Sequence, residues 1–460
     1  MAEKQTLNRP HLSAIRVLFE KLGKTLVIVD DDPTGTQTVH DVPVLGHWSL
    51  EVFKEEFERK TKLFFVLANT RSLVPEEAVK RSKEIGKNLL EASMATGRDF
   101  ILVSRSDSTL RGHFPEEVAA ISEACGRSRL PWIMAPVFFE GGRVTENDVH
   151  YIIENEVKIP VSQTPFAKDK SFGYQHADLR KWIMEKSKGN TKRDSIKSLS
   201  LERIRKGENL RETLATLQTG ETLIINATMY EDLEIVCQAL LQEIKEGRNF
   251  IFRTAASFIS AFTGMEAKPW LVQQRPAPKN GGLMIVGSYV PKTTGQLQNL
   301  LSVEGLFEVC LPVEKIIAAP PGFQEWTRES INKIEESLSS GKHMVIYTSR
   351  TLLTGKDASE NLGIGEKIND YLVNFVKSIR TKPSFIIAKG GITANDIAVK
   401  SLGMKRAMVA GQLLPGVPVW QLGDSKKFTN TPYVVFPGNV GNEKALKEAF
   451  EIFTQNPDAS

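Results

Sequence analysis

The feature that most constrains this chain is a repeated grammar: short aliphatic or β-branched runs that break abruptly into polar, charged or glycine-rich residues, with amphipathic stretches after many of them. Runs of four or five residues are too short for helices, and their near-continuous apolar character suits strands buried on both faces of a parallel sheet. In the first half the pattern predicts strands at Thr25 to Val29, Leu63 to Leu67, Phe100 to Val103, Trp132 to Ala135 and Thr222 to Ile225. In the second half it predicts them at Leu283 to Val286, Glu308 to Leu311, Met344 to Tyr347, Phe385 to Ala388, Ala407 to Val409 and Val434 to Phe436. Helices are expected at Thr294 to Leu301, Ala394 to Leu402 and Glu443 to Phe453. A chain of 460 residues exceeds one ordinary core, and domains commonly hold about 100–250 residues, so two are expected. The fold class is therefore α/β: two domains, each a mainly parallel sheet flanked by helices, with a cleft between them.

The passage from Pro160 to Gly220 is polar and Lys-rich, with helices expected at Ala177 to Lys186 and Glu208 to Gln218, and reads as an insertion or periphery. Gln273 to Gly282 is a Pro/Gly-containing polar stretch that reads as a linker. The expected division is thus a first domain over 1–272, a linker over 273–282 and a second domain over 283–460.

Composition narrows the function classes. The net charge is only +4, and the one basic stretch, Lys186 to Arg205, lacks aromatics on which bases could stack, so nucleic acid is not an expected partner. No segment reaches the ~20 uncharged apolar residues of a membrane span, and none resembles a signal peptide. Cys125, Cys237 and Cys310 lie far apart without CxxC spacing, which points to reduced thiols in a cytoplasmic protein. No Walker A loop, GxGxxG, HExxH or GxSxG pattern occurs at a fitting place, and a homo-oligomer stays compatible with the composition.

In open α/β sheets ligands bind where strands end, because free backbone N–H groups and helix N-termini converge there. The first strand runs into Asp30-Asp31-Asp32-Pro33-Thr34-Gly35. One carboxylate serves as a helix cap; three together repel one another unless cations or substrate hydroxyls offset them. The second strand ends near Arg71 and the third in Arg105-Ser106-Asp107-Ser108-Thr109-Leu110-Arg111-Gly112. Guanidinium groups hold a carboxylate bidentately, and adjacent Ser and Asp side chains suit hydroxyls, so this edge fits a small hydroxy acid. The fourth strand leads into Ala135 to Thr145, where Gly141 and Gly142 precede Arg143.

The second half carries glycines with hydroxyl or amide residues instead: Gly287-Ser288, Lys389-Gly390-Gly391-Ile392-Thr393, Gly411 to Pro418, and Gly438-Asn439-Val440-Gly441. A tight turn accounts for any one of these loops. Several at successive strand ends point to a site where backbone approaches phosphate.

With these motifs assembled, the chain resembles the four-carbon acid sugar kinase family over about residues 24–450. DDxTG matches Asp31 to Gly35, R-x-D-S-T-x-R-G matches Arg105 to Gly112, and A-P-x-x-x-E-G-G-R-x-T matches Ala135 to Thr145. G-S, G-G-x-T, P-G-V-P and G-N-x-G recur at Gly287-Ser288, Gly390 to Thr393, Pro415 to Pro418 and Gly438 to Gly441. The resemblance implies transfer of the ATP γ-phosphoryl, with a divalent cation such as Mg²⁺, to a terminal hydroxyl of threonate, erythronate, 3-oxo-tetronate or a related acid. It implies substrate contacts at Asp31, Arg71, Arg105, Ser106, Asp107 and Ser108, to which the charge clustering at the same strand ends adds Asp32 and Arg111. ATP contacts are implied at Ser288, Gly390, Gly391, Ile392, Thr393, Gly438, Asn439 and Gly441. Asp31 is the expected base, with Asp107 as its rival, and no metal ligand is assigned. Members of the family tend to read DDLTGA and GGETS where this chain has Asp31 to Gln37 and Gly390 to Ala394, which leaves the acid open. A non-catalytic binding protein, or an ATP-dependent ligase or hydrolase acting on an acid, are the alternative classes.

Overall fold

Leu26, Val27, Ile28 and Val29 are buried on both faces of their strand, the condition for a central strand of a covered sheet. The computed structural model describes residues 9–266, 268–269, 279–288, 290–351, 353, 358–438 and 440–454. These divide into two compact units, Met1–Ala267 and Lys268–Ser460.

The strands of the first unit, in chain order, begin with β1 (Thr25–Asp30), β2 (Val42–Leu45), β3 (Leu63–Leu67), β4 (Phe100–Arg105) and β5 (Trp132–Ala135). An antiparallel trio follows, β6 (Arg143–Glu146), β7 (Val149–Glu154) and β8 (Val157–Pro160), and forms its own small sheet. Then come β9 (Ile196–Leu199), β10 (Thr222–Ile225) and β11 (Ile251–Thr254). The main sheet has the order β2-β3-β1-β4-β11-β5-β10-β9 and is parallel throughout. Parallel pairing brings the carboxyl ends of its strands to one edge: Asp30 stands opposite both Leu67 and Arg105, and Thr254 opposite both Arg105 and Ala135. Phe53, Phe57, Phe64 and Phe100 interlock toward the amino ends of β3 and β4 with ring centroids about 6 Å apart, a separation typical of packed aromatic cores.

The second unit contains β12 (Leu283–Val286), β13 (Phe307–Leu311), β14 (Met344–Thr348), β15 (Ile386–Lys389), β16 (Met404–Leu414), β17 (Val417–Ser425) and β18 (Pro432–Phe436). Its order is β13-β14-β12-β15-β18-β17-β16. The first five are parallel, and β17 and β16 are antiparallel additions at one side. The two-domain, mainly parallel α/β class is therefore the fold. Val286, Lys389 and Phe436 stand side by side at the carboxyl edge.

Several expectations change. The stretch Gly411 to Pro418 is not a loop at a parallel strand end: Gly411–Leu414 closes β16, Pro415-Gly416 is a two-residue turn, and Val417 opens β17. Gly416 has φ +75°, the left-handed geometry that a Pro-Gly turn of type II demands. The passage from Pro160 to Gly220 is more than periphery. Trp182 and Leu199 in it are fully buried, and β9 is an edge strand of the main sheet. The helix expected over Ala394 to Leu402 starts earlier, at Gly391, and widens into a π-helical turn at Ile397–Ser401. Residues 273–278 of the expected linker lie outside the described residues.

Candidate functional site

The three successive carboxylates at the end of β1 separate into three roles. Asp30, fully buried, receives Arg105 Nη1 on Oδ1 at 3.1 Å. Gly35 is needed just above it, because a Cβ there would come within 1.7 Å of Asp30 Oδ2. Asp32 caps the short 3₁₀ turn Pro33–Thr36, accepting Thr34 N–H at 2.7 Å, and also pairs closely with Arg71 Nη2. Asp31 is left. Both of its oxygens are buried and have no hydrogen-bond partner among the described residues; Arg71 Nη1 lies 3.9 Å away.

Electrostatics follow from this division. Burial pushes Asp30 up to about 8, against the pull of Arg105. Burial likewise raises Asp31, although Arg71, Arg253 and Arg105 oppose it. Asp32 is buried too, yet Arg71 and the Thr34 hydrogen bonds hold its carboxyl below the usual range. Asp107 is held lower still. Burial acts against its charge, but Arg111 Nε at 2.7 Å, Arg71 Nη1 at 3.5 Å and the Thr109 hydroxyl outweigh it. A carboxylate so saturated is a poor proton acceptor, whereas Asp31, raised and unsatisfied, is suited to be one.

The remaining arginines show how this edge is held. Arg111 also faces Asp169 at 3.5 Å and lies over the Phe166 ring at 4.9 Å. Arg105 meets Asp30 through Nη1, and its Nε is buried without a partner. Ser106 donates its backbone N–H to Thr254 O at 2.9 Å, and Ser108 O receives His150 Nε2 at 2.8 Å, so both serines fix the loop by their backbones. Asp31, Asp32, Arg71, Asp107 and Arg111 thus form one linked cluster, and Asp30 with Arg105 forms a buried base under it.

Two further residues join the cluster that sequence reasoning passed over. Glu117, in the first turn of the helix Glu116–Ala124, is buried, and burial together with Asp31 raises it to about 7. Arg253 enters from β11, the strand inserted between β4 and β5. Its run, Ile251-Phe252-Arg253-Thr254, was overlooked as a strand, although Phe250-Ile251-Phe252 carries the apolar signal.

In the second unit the carboxyl ends of β12, β15 and β18 bring Ser288, Gly390, Thr393 and Gly438 together. Thr293 Oγ1 donates to Ser288 Oγ and to Gly438 O, each at 3.3 Å. Gly390 has φ +112°, and a Cβ on it would meet Ser288 Cβ at 3.1 Å and Thr393 Oγ1 at 3.3 Å. A Cβ on Gly287 would meet Thr393 Oγ1 at 2.3 Å. Gly441 has φ +81° and Gln296 Nε2 secures the carbonyls of Val440 and Asn442 at 3.0 and 2.7 Å. Gly391 opens the following helix, and Ile392 is 52% exposed beside this loop. Asn439 lies outside the described residues. Lys389, which opens the Gly390 loop in the sequence, had no role assigned to it. Its ammonium is fully buried, donates to Pro437 O at 2.6 Å and Gly438 O at 3.3 Å, and burial lowers it to about 7. Arg350, unforeseen in the sequence, ties the Ser288 carbonyl at 2.6 Å to the end of β14.

Among the described residues no group of three His, Cys, Asp or Glu side chains could hold a metal ion. No described helix is long and apolar enough to cross a membrane.

Comparison with known proteins agrees with this two-part arrangement. Residues 26–262 match the family model of a sugar-binding N-terminal domain, and residues 283–446 that of a nucleotide-binding C-terminal domain. A D-threonate kinase of Cupriavidus necator is 24% identical over 84% of this chain and 87% of its own length. A D-erythronate kinase of Heliobacterium modesticaldum is 23% identical over 62% of this chain, a match that spans 61% of that enzyme. The crystal structure of Haemophilus influenzae protein HI1011 shares the fold at a TM-score of 0.61 and 15% identity, covering 93% of this chain and all of that one. The matched domains and the strand-end motifs place this chain in the four-carbon acid sugar kinase family.

Proposed function

We propose that the protein is an ATP-dependent kinase that phosphorylates a terminal hydroxyl of a four-carbon sugar acid. The observation that carries this reading is Asp31: a buried carboxylate with both oxygens unsatisfied, raised by burial, and set among guanidinium groups. Leaving a buried acceptor unpaired costs on the order of 1–3 kcal/mol, more when it is charged, so a substrate hydroxyl that donates to it recovers that loss. Phosphoryl transfer passes through a loose transition state, and its catalyst mainly positions the acceptor oxygen and accepts a proton late. Asp31 is the acceptor of that proton in this reading, while Asp107, already saturated by Arg111 and Arg71, orients.

The second unit supports the donor half. Hydroxyls and backbone at Ser288, Gly390, Thr393 and Gly438 converge at this edge, an arrangement that suits phosphate oxygens. Mg²⁺ is usually held by one or two carboxylates together with the nucleotide's own phosphates, so it needs no dedicated cage of three protein ligands. The free cysteines Cys125, Cys237 and Cys310 accord with a cytoplasmic enzyme.

The test is product analysis after incubation with Mg-ATP and D-erythronate, D-threonate or 3-oxo-tetronate. ADP with a stable phosphate ester, identified by mass and phosphorus NMR, is expected from one of the acids. AMP or free phosphate would indicate a ligase or hydrolase, and ligand binding without product would indicate a non-catalytic protein.

A further inference from the structure

The arginines around Asp31 differ in what they have left to offer. Arg105 pairs with Asp30 through Nη1 while its Nε is buried without a partner, Arg71 pairs with Asp32 and Asp107, and Arg111 with Asp107, Thr109 and Asp169. Arg143 donates to Gly141 O, and its charged neighbours are Asp107, Glu154 and Arg111. Arg253 stands apart. It is 7% exposed, and its side chain makes no hydrogen bond or ion pair at all among the described residues, whereas Arg105 and Arg143, whose Nε atoms are also buried and unsatisfied, each have a partner on Nη1. Its guanidinium lies 5.8 Å from the Phe114 ring centroid, near Asp31 and Glu117 without pairing to either.

Gly112 defines the space beside it. With φ +127°, Gly112 has no side chain where a Cβ would lie 3.1 Å from Asp31 Oδ2 and 3.5 Å from Arg253 Nη2. Asp31 and Arg253 therefore border the same spot, one as an unsatisfied acceptor and the other as an unsatisfied donor. A ligand that serves both needs a hydroxyl for Asp31 and an anionic oxygen pair for Arg253, a short distance apart. A hydroxy acid has both.

We infer that Arg253, and not Arg71 or Arg105, is the residue that receives the carboxylate of the acid substrate, with Gly112 keeping the space between Arg253 and Asp31 open. This inference rests on the kinase reading and sharpens it: the enzyme selects acids over neutral polyols through one uncommitted buried guanidinium. Arg71 and Arg105, expected from sequence to bind the anion, instead hold the carboxylate cluster in place.

The test is calorimetric titration of D-erythronate and of D-threonate, each without ATP, into the wild-type chain, Arg253→Lys and Arg253→Met, with ATP titrated separately. Loss of a charge-assisted bidentate pair weakens binding by about 10–100-fold. The acid that binds the wild type should weaken by that factor in both variants, while ATP affinity stays within about twofold. Arg253→Lys retains the counter-charge for Asp31 and Glu117, so it remains informative if Arg253→Met does not fold. Kinetically, the ratio of kcat/KM for the acid over its amide should collapse toward unity in Arg253→Met and fall partway in Arg253→Lys, which a general loosening of the fold would not cause. A wild type that binds an acid no better than Arg253→Lys does, or an unchanged acid-to-amide ratio, overturns the assignment and leaves the kinase reading standing. A wild type that binds no acid of this class overturns the kinase reading and the assignment with it.

Discussion

The two units solve the same architectural problem with opposite chemistry. In each, parallel strands deliver their carboxyl ends to one edge, where loops carry the functional side chains. The first unit fills that edge with Asp30, Asp31, Asp32, Asp107 and Glu117 against Arg71, Arg105, Arg111 and Arg253. In the second, Gly287, Ser288, Gly390, Thr393 and Gly438 occupy it, with Lys389 and Arg350 pinned to carbonyls. A carboxylate-and-guanidinium edge discriminates among small polar acids because each buried group must find its partner, whereas a glycine-lined edge backed by cations suits phosphate oxygens through geometry. The difference shows that the strand grammar sets where the loops gather but not which chemistry they carry.

The contrast can be broken most sharply at Asp31. Asp31→Asn should lower kcat by about 10²–10⁴-fold with little change in KM for ATP, measured by coupled ADP release. Because burial raises Asp31, the acidic limb of the wild-type rate profile should lie above the ordinary carboxylate range, and the variant should lack it. If Asp107→Asn abolished that limb instead, the two aspartates would exchange roles.

Gly35→Ala probes the foundation of the charged edge. Its Cβ would overlap the Asp30 carboxylate, and overpacking of this kind costs about 1–3 kcal/mol or more, readable as a lower denaturation midpoint. In the glycine-lined edge, Gly390→Ala forces a side chain into φ +112°. That strain amounts to about 1–3 kcal/mol, and ATP affinity should fall roughly tenfold while affinity for the acid is kept.

The smallest expected effect is a difference in pH response. Asp30 and Glu117, raised to about 8 and about 7, keep protons that the unfolded chain gives up near 4. Their contribution to stability is therefore present at low pH and is lost as pH rises from about 4 to 8. Lys389, lowered to about 7, behaves in the opposite sense, because the unfolded chain holds its proton up to about 10.4. The second unit should thus gain stability between about pH 7 and 10. In Lys389→Met that rise should vanish, a change of only a few degrees in the Tm-against-pH slope.

Much of this was legible in the sequence, and the misses have physical causes. The strands ending at Leu67, Ala135, Ile225 and Val286 end where their apolar runs stop, since strands buried on both faces leave no ambiguity of period. Clustering of charge at the first three strand ends marked the edge where the structure brings Asp31, Asp32, Arg71, Asp107 and Arg111 together. What the residues could not reveal was pairing. Nothing in Asp30-Asp31-Asp32 says which carboxylate Arg105 takes, because that depends on the β1–β4 register that sets Asp30 opposite Arg105. Arg253 was lost with β11, a strand of only four residues whose apolar start is soon followed by the buried helix Ala256–Thr263. The Gly411 to Pro418 loop was misjudged because a Pro-Gly turn in an antiparallel hairpin shares its residues with a glycine-rich ligand loop.

The most direct test of the division between the two edges is a crossed binding experiment. Calorimetry would measure the acid and ATP separately on Asp31→Asn and on Gly390→Ala. Asp31→Asn should weaken the acid and leave ATP unchanged, and Gly390→Ala should do the reverse. If either variant weakened both ligands equally, or if each affected the other's ligand, the assignment of acid to the charged edge and nucleotide to the glycine-lined one would be contradicted.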